Sequence, residues 1–230
     1  MKFEVNKDVF SEAVSFAVKL LPQRTTLPIL SGVLITVEDD TVMISSFDYE
    51  VSAKTKVAAS VDTPGQVLVS GRLLSEIAQR LPEDSVTLSL SGTSVSVVSG
   101  SAKFTLATMP VEEYPNLPEV EGVSGSVSGE EFSQAVGQVA PAASRDDVTP
   151  VITGVLLDVS SSALVMMATD RYRVAAKELS WSGGSVAAEG LQALIPSRTL
   201  AEIGKTFAHT SHLTITLSVG GERELVAFSS

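Results

Sequence analysis

The sequence of 230 residues contains no cysteine. That excludes a disulfide framework and thiolate metal sites, and it fits a cytosolic protein. Aromatic residues are only 5% of the chain, while valine and serine are abundant, a balance that favours many short two-faced strands over a helical bundle. No run reaches the ~18 apolar residues of a membrane span, and Met1–Asp8 carries no apolar signal segment. Catalytic signatures are missing too. There is no phosphate loop of the GxxxxGK kind, no HExxH, and no GxGxxG between a strand and a helix. Gly122, Gly125 and Gly129 have the wrong spacing for a dinucleotide site and read as linker. His209 and His212 fall at a helix-to-strand turn with no third ligand, so no metal and no cofactor is expected.

Net charge is −11, and the mean field of such a chain repels free DNA. A mean says nothing about one face, and the basic residues are unevenly placed. Arg24, Arg72, Arg80, Arg145, Arg198 and Lys205 lie in or beside the predicted helices or the loops after them. Long cations on a shared face can contact phosphates without reading bases, although any helix surface carries arginine.

An internal repeat is the strongest positive signal. The stretch Thr149–Lys177 echoes Leu27–Lys54: laid together without gaps, Gly32 meets Gly154 and Asp48 meets Asp170, at a constant offset (154−32 = 170−48 = 122). A repeat of that length is a whole small domain rather than a solenoid unit. The predicted domains are 1–121 and 122–230.

Each copy has the same predicted order. Met1–Val5 is a strand, and Asn6 caps a helix through about Lys19, with Val9, Phe10, Ala13, Val14, Ala17 and Leu20 on its apolar stripe. Pro22 stops it before an exposed loop. Strands follow at about 30–37, 41–47, 50–58 and 66–69, then a helix from Ser70 to Leu81, then strands at 85–91, 94–99 and 102–108. Met109–Gly125 is the predicted linker. In the second copy, Ser128 and Glu131 form a capping box for a helix that Pro141 closes. Strands at 151–159, 163–169, 172–180, 185–187 and 191–195 lead to a helix over Arg198–Phe207 and strands at 212–218 and 223–229. The fold class is α+β: a tandem repeat, each copy with two helices packed on antiparallel sheets.

Two site readings remain open at this level. Asp146 and Asp147, with Asp170, have the composition of a metal-assisted hydrolase, but paired loop acids are commonly just solvated. The recurrence of Asp48 and Asp170 favours a turn carboxylate that accepts backbone N–H bonds. Ile152, Thr169, Arg171, Arg173 and Val174 combine an apolar floor with an arginine rim. A groove for a short apolar peptide has that make-up, and so does a half-buried strand end.

Thr26–Leu30, Tyr114–Pro118 and Ala168–Ala175 resemble the bacterial sliding clamp family, the beta subunit of the replicative DNA polymerase III. The resemblance spans the chain. It implies a clamp fold with three domain copies per subunit, two subunits closing into a ring around duplex DNA, and no chemistry. It also implies polymerase and clamp-loader partners that bind through short apolar motifs, no membrane, and a cytoplasmic setting. Carried onto this chain, Arg24, Arg72 and Arg198 approach the DNA backbone. Ile152, Thr169, Arg171, Arg173 and Val174 line the partner-peptide groove, and Phe104 and Leu106 belong to the subunit interface. Many members have a small residue where Arg171 stands, so a bulky cation narrows this groove; near Asp146 they have a polar or basic one. The third clamp domain is absent from these residues, and the expectation is a truncated form that cannot encircle DNA alone.

Overall fold

A computed structural model describes residues 1–19, 21, 26–146, 149–183, 191–219 and 224–230. Two compact units divide the chain, Met1–Pro118 and Glu119–Ser230.

In unit 1, β1 (Lys2–Asn6) leads directly into α1 (Lys7–Lys19). The Asn6 Oδ1 accepts from the Asp8 and Val9 amides at 2.9 and 3.3 Å, which satisfies two of the free donors at the helix start. Phe10, Ala13, Val14 and Ala17 are buried as the spacing predicts, whereas Val9 is 43% exposed and lies off the stripe. Leu20 and the loop of Pro22–Thr25 lie outside the described residues. Then come β2 (Gly32–Glu38), β3 (Thr41–Phe47), β4 (Ser52–Ala58), β5 (Ser60–Thr63) and β6 (Gly65–Ser70). The sequence reading missed β5, a four-residue edge strand with little apolar alternation. Ser70 caps α2 (Gly71–Ala78), which ends a turn earlier than predicted, and β7 (Ser85–Ser91), β8 (Ser94–Ser99) and β9 (Ala102–Met109) complete the unit.

All nine strands form one sheet, ordered β4-β3-β2-β6-β9-β8-β7-β1-β5. Strand β9 joins its halves, since it pairs with β8 along its length but meets β6 only through Thr108 and Met109. The helices α1 and α2 pack together over a core that includes Phe3, Phe10, Ile35, Leu74 and Leu88.

Unit 2 repeats the plan. It has β10 (Gly122–Val127), α3 (Gly129–Val139), β11 (Gly154–Val159), β12 (Ala163–Thr169), β13 (Val174–Ser180), β14 (Ser182–Gly183) and β15 (Leu191–Pro196). Helix α4 (Ser197–Thr206), β16 (Leu213–Ser218) and β17 (Val226–Ser229) follow. The sheets are β14-β10-β16-β17 and β13-β12-β11-β15. Ser128 Oγ accepts from the Glu131 amide at 3.4 Å, the serine half of the expected capping box. The strand expected at 185–187 falls outside the described residues.

Gly122 and Gly125, read from sequence as linker, are strand residues of β10. The reason is packing: a Cβ on Gly125 would stand 2.2 Å from the Trp181 ring, so the strand tolerates only glycine beside that indole. The connecting stretch is correspondingly shorter. Its start is pinned by Tyr114, which is 8% exposed. The phenol oxygen accepts from the Phe47 amide at 2.8 Å and donates to the Gly32 carbonyl at 3.3 Å. Phe47, Leu68 and Tyr114 form a small second core there, with Leu34 and Leu117 packed against it. Replacing Tyr114 with Phe leaves the Phe47 amide without its partner. We expect a loss of about 1–2 kcal/mol from unit 1 in denaturant unfolding, with faster amide exchange at Phe47. Unchanged stability and exchange would show that the tether is idle.

Candidate nucleic-acid and peptide interface

The hairpin between β12 and β13 is built around one carboxylate. Asp170 Oδ1 accepts from the Tyr172 and Arg173 amides at 3.1 and 3.0 Å, and Oδ2 accepts from Arg173 Nε at 2.9 Å. Asp48 does the same backbone work in unit 1, with the Glu50 and Val51 amides at 3.0 and 2.7 Å. In both turns the residue after the aspartate has positive φ, 74° at Tyr49 and 80° at Arg171. Neither is a glycine, so the aspartate bonds hold a backbone conformation that side chains disfavour. The repeated aspartate is architectural, as its spacing suggested.

That turn aims the side chains of the predicted groove. Arg173 is anchored at both ends of its guanidinium, since Nη2 also donates to the Pro141 carbonyl at 2.6 Å. Arg171 Nη2 donates to Thr149 Oγ1 at 2.7 Å, and Thr169 Oγ1 donates to the Arg173 carbonyl at 2.8 Å. Val174 is 73% exposed and Ile152 is half-buried. The sequence reading left out two apolar neighbours, Val151 at 69% and Tyr172 at 96% exposure. Tyr172 was readable as the tip of a turn closed by Asp170. Val151 was not, because the expected strand there is a 3-10 turn, Pro150–Thr153.

A hollow of about 580 Å³ lies nearby, against α3 and α4. Ser133, Gly137 and Ala201 form part of its wall, and Arg145, Arg198 and Lys205 supply three cations. Arg198 stands at the start of α4, and Lys205 is bonded to Glu202 at 2.7 Å. Arg72 is apart from this group, exposed on α2 and paired with Glu76 at 3.0 Å. Arg24 lies outside the described residues.

Leu106 is 5% exposed in the unit 1 core, and Phe104 packs partly against it. What β9 leaves open is backbone: residues 102–107 have no strand on the side away from β8 among the described residues.

Among the described residues the acids do not come together. Both carboxylate oxygens of Asp170 are engaged by the turn and Arg173, Asp146 is an exposed loop residue, and Asp147 lies outside the described residues. Among the described residues no three His, Cys, Asp or Glu side chains converge to hold a metal. No helix is long and apolar enough to cross a membrane, again among the described residues.

Residues 1–118 match the model of the DNA polymerase III beta subunit N-terminal domain, and residues 126–229 match that of its central domain. A beta sliding clamp of Micrococcus luteus is 45% identical over 230 residues, covering 100% of this chain and 73% of that protein. The crystal structure of the Bacillus subtilis DNA polymerase sliding clamp superposes with a TM-score of 0.89 at 26% identity, over 100% of this chain and 62% of that one. A sliding clamp of Pseudomonas aeruginosa bound to griselimycin gives 0.87 at 25% identity, over 95% and 60%. This chain thus spans between 60% and 73% of the lengths of these relatives. Nothing in these likenesses supports a hydrolase.

Partial desolvation pushes the Asp170 carboxyl up, but the Tyr172 and Arg173 amides and the Arg173 guanidinium outweigh it and hold it below its ordinary value. A folded-state value depressed in this way stabilises the turn above the unfolded pKa, and that stability is lost as pH falls through the folded one. An NMR titration should therefore place the Asp170 midpoint below that of an ordinary aspartate, with Arg173→Gln moving it upward. A midpoint at or above the ordinary value would contradict the turn's electrostatics.

Proposed function

The chain belongs to the DNA polymerase III beta-subunit family, the beta sliding clamps, and from that premise we propose that it serves as part of a DNA polymerase processivity factor. In this reading the complete ring encircles duplex DNA in the cytoplasm and tethers polymerase, clamp loader and repair proteins. It catalyses no reaction. The chain itself corresponds to the first two of three clamp domains, 1–121 and 122–230.

The observation that carries the reading is the grouping of Arg145, Arg198 and Lys205 around one hollow on a chain of net charge −11. Local cations on an acidic protein suit a backbone-sliding role: they attract phosphates while the mean charge resists tight, static capture. Arg24 and Arg72 extend the DNA-facing set; Arg72 and Lys205 contribute less than Arg145 and Arg198, because Glu76 and Glu202 already hold them. The exposed apolar side chains Val151, Tyr172 and Val174, with Ile152, Thr169, Arg171 and Arg173, form this chain's share of the partner-peptide groove. Ring closure uses the open edge of β9, with Phe104 and Leu106 setting its shape from within.

Duplex affinity measured against salt tests the phosphate contacts. Alanine at Arg145, Arg198 and Lys205 together should weaken binding of all sequences alike and lower the log–log salt slope by about 2 to 3. An unchanged slope would remove this face from the DNA path. For the groove, Val174→Asp should abolish binding of an apolar partner peptide while leaving duplex affinity intact. Loss of both would mean that the substitution unfolds unit 2.

A further inference from the structure

The outer face of unit 1 holds a second hollow, of about 230 Å³, that the clamp reading does not use. Its floor is two adjacent rows of the sheet. One row runs Lys54, Ser45, Leu34 across β4, β3 and β2; the next runs Met43, Thr36, Gln66 across β3, β2 and β6. Its lid is the chain leaving β9, through Val111 and Tyr114–Leu117, which Tyr114 pins to the sheet.

Two hydroxyls on this floor are nearly inaccessible, Thr36 at 4% and Ser45 at 2% exposure. Thr36 Oγ1 accepts from Gln66 Nε2 at 3.2 Å. Ser45 Oγ has only a 3.5 Å approach to the Leu34 carbonyl, at the outer limit of a hydrogen bond. A buried hydroxyl so poorly served costs stability unless something else meets it. Directly across the register stands Lys54, an exposed ammonium with no carboxylate in ion-pair range among the described residues. Leu34, Met43 and Leu117 supply an apolar wall beside these two donors.

We propose that this hollow binds a short-chain monocarboxylate. The carboxylate accepts from Lys54 Nζ and Ser45 Oγ, and a tail of about four to six carbons lies along Leu34, Met43 and Leu117. An inorganic anion would leave the apolar wall unused. Glu112 and Glu113, exposed on the segment that forms the lid, disfavour more than one negative charge on the ligand. Because the lid is also the tethered segment, an occupied site should hold Tyr114–Leu117 more firmly against the sheet.

Hexanoate is the probe, titrated into the isotopically labelled 230-residue chain and followed by amide shifts. The expected result is saturable movement at Leu34, Ser45 and Leu117, with slower exchange across the lid. Hexanol should bind at least about tenfold more weakly, as should the Lys54→Met and Ser45→Ala variants, while Lys54→Arg keeps most of the affinity. Equal binding by hexanol or by Lys54→Met overturns the carboxylate assignment. Absence of saturable shifts at these residues overturns the site. Binding of acetyl-Ala-Leu without binding of hexanoate overturns the small-ligand reading in favour of a peptide C-terminus.

Discussion

Each copy of this domain has to bury one face of two helices against antiparallel strands, and everything else follows from that requirement. Phe10 and Phe132 sit at the same repeat position and are both completely buried, each at the centre of its unit's core. With the apolar stripe committed inward, the opposite helix surface is left to polar and charged residues, since long cations cannot be buried unpaired. The hollow ringed by Arg145, Arg198 and Lys205 is therefore a consequence of core packing as much as of charge placement. A chain can be strongly acidic overall and still present a locally cationic surface, because the helices sort the charges by face.

The second constraint is the aspartate turn. A single carboxylate accepts two amides in each copy and holds the following residue in the left-handed region. In unit 2 the same carboxylate also seats Arg173, so the turn that closes a hairpin simultaneously arranges a row of exposed side chains. Architecture and site are the same hydrogen bonds there. This also weakens a trio of loop acids as a catalytic reading: Asp170 Oδ1 is taken by two amides and Oδ2 is paired with the Arg173 guanidinium, so the carboxylate is committed to holding the turn.

Much of this was legible in the sequence because duplication prints the pattern twice. The constant offset located the copies, alternation located β3, β7 and β8 to the residue, and the Asn6 and Ser128 caps marked helix starts. Local signals misled where a tertiary contact decides. Gly125 reads as flexible linker until Trp181 is placed over it, and Val9 reads as core until the helix is rotated onto its sheet. Leu106 carries an interface assignment by resemblance, yet its side chain belongs to its own unit's core. The grouping of Arg145 with Arg198 and Lys205 depends on residues 60 apart (205−145) meeting across α3 and α4, which no spacing within one element encodes.

The central claim is that retention on DNA comes from topology, with cations contacting phosphates and no bond made or broken. The direct measurement is to load the native protein, purified from its own cells, onto nicked circular duplex, wash at raised salt, and then cut the circle once. The account predicts that the protein survives the wash on circles and is released on cutting. Equal retention on circular and linear DNA would contradict it.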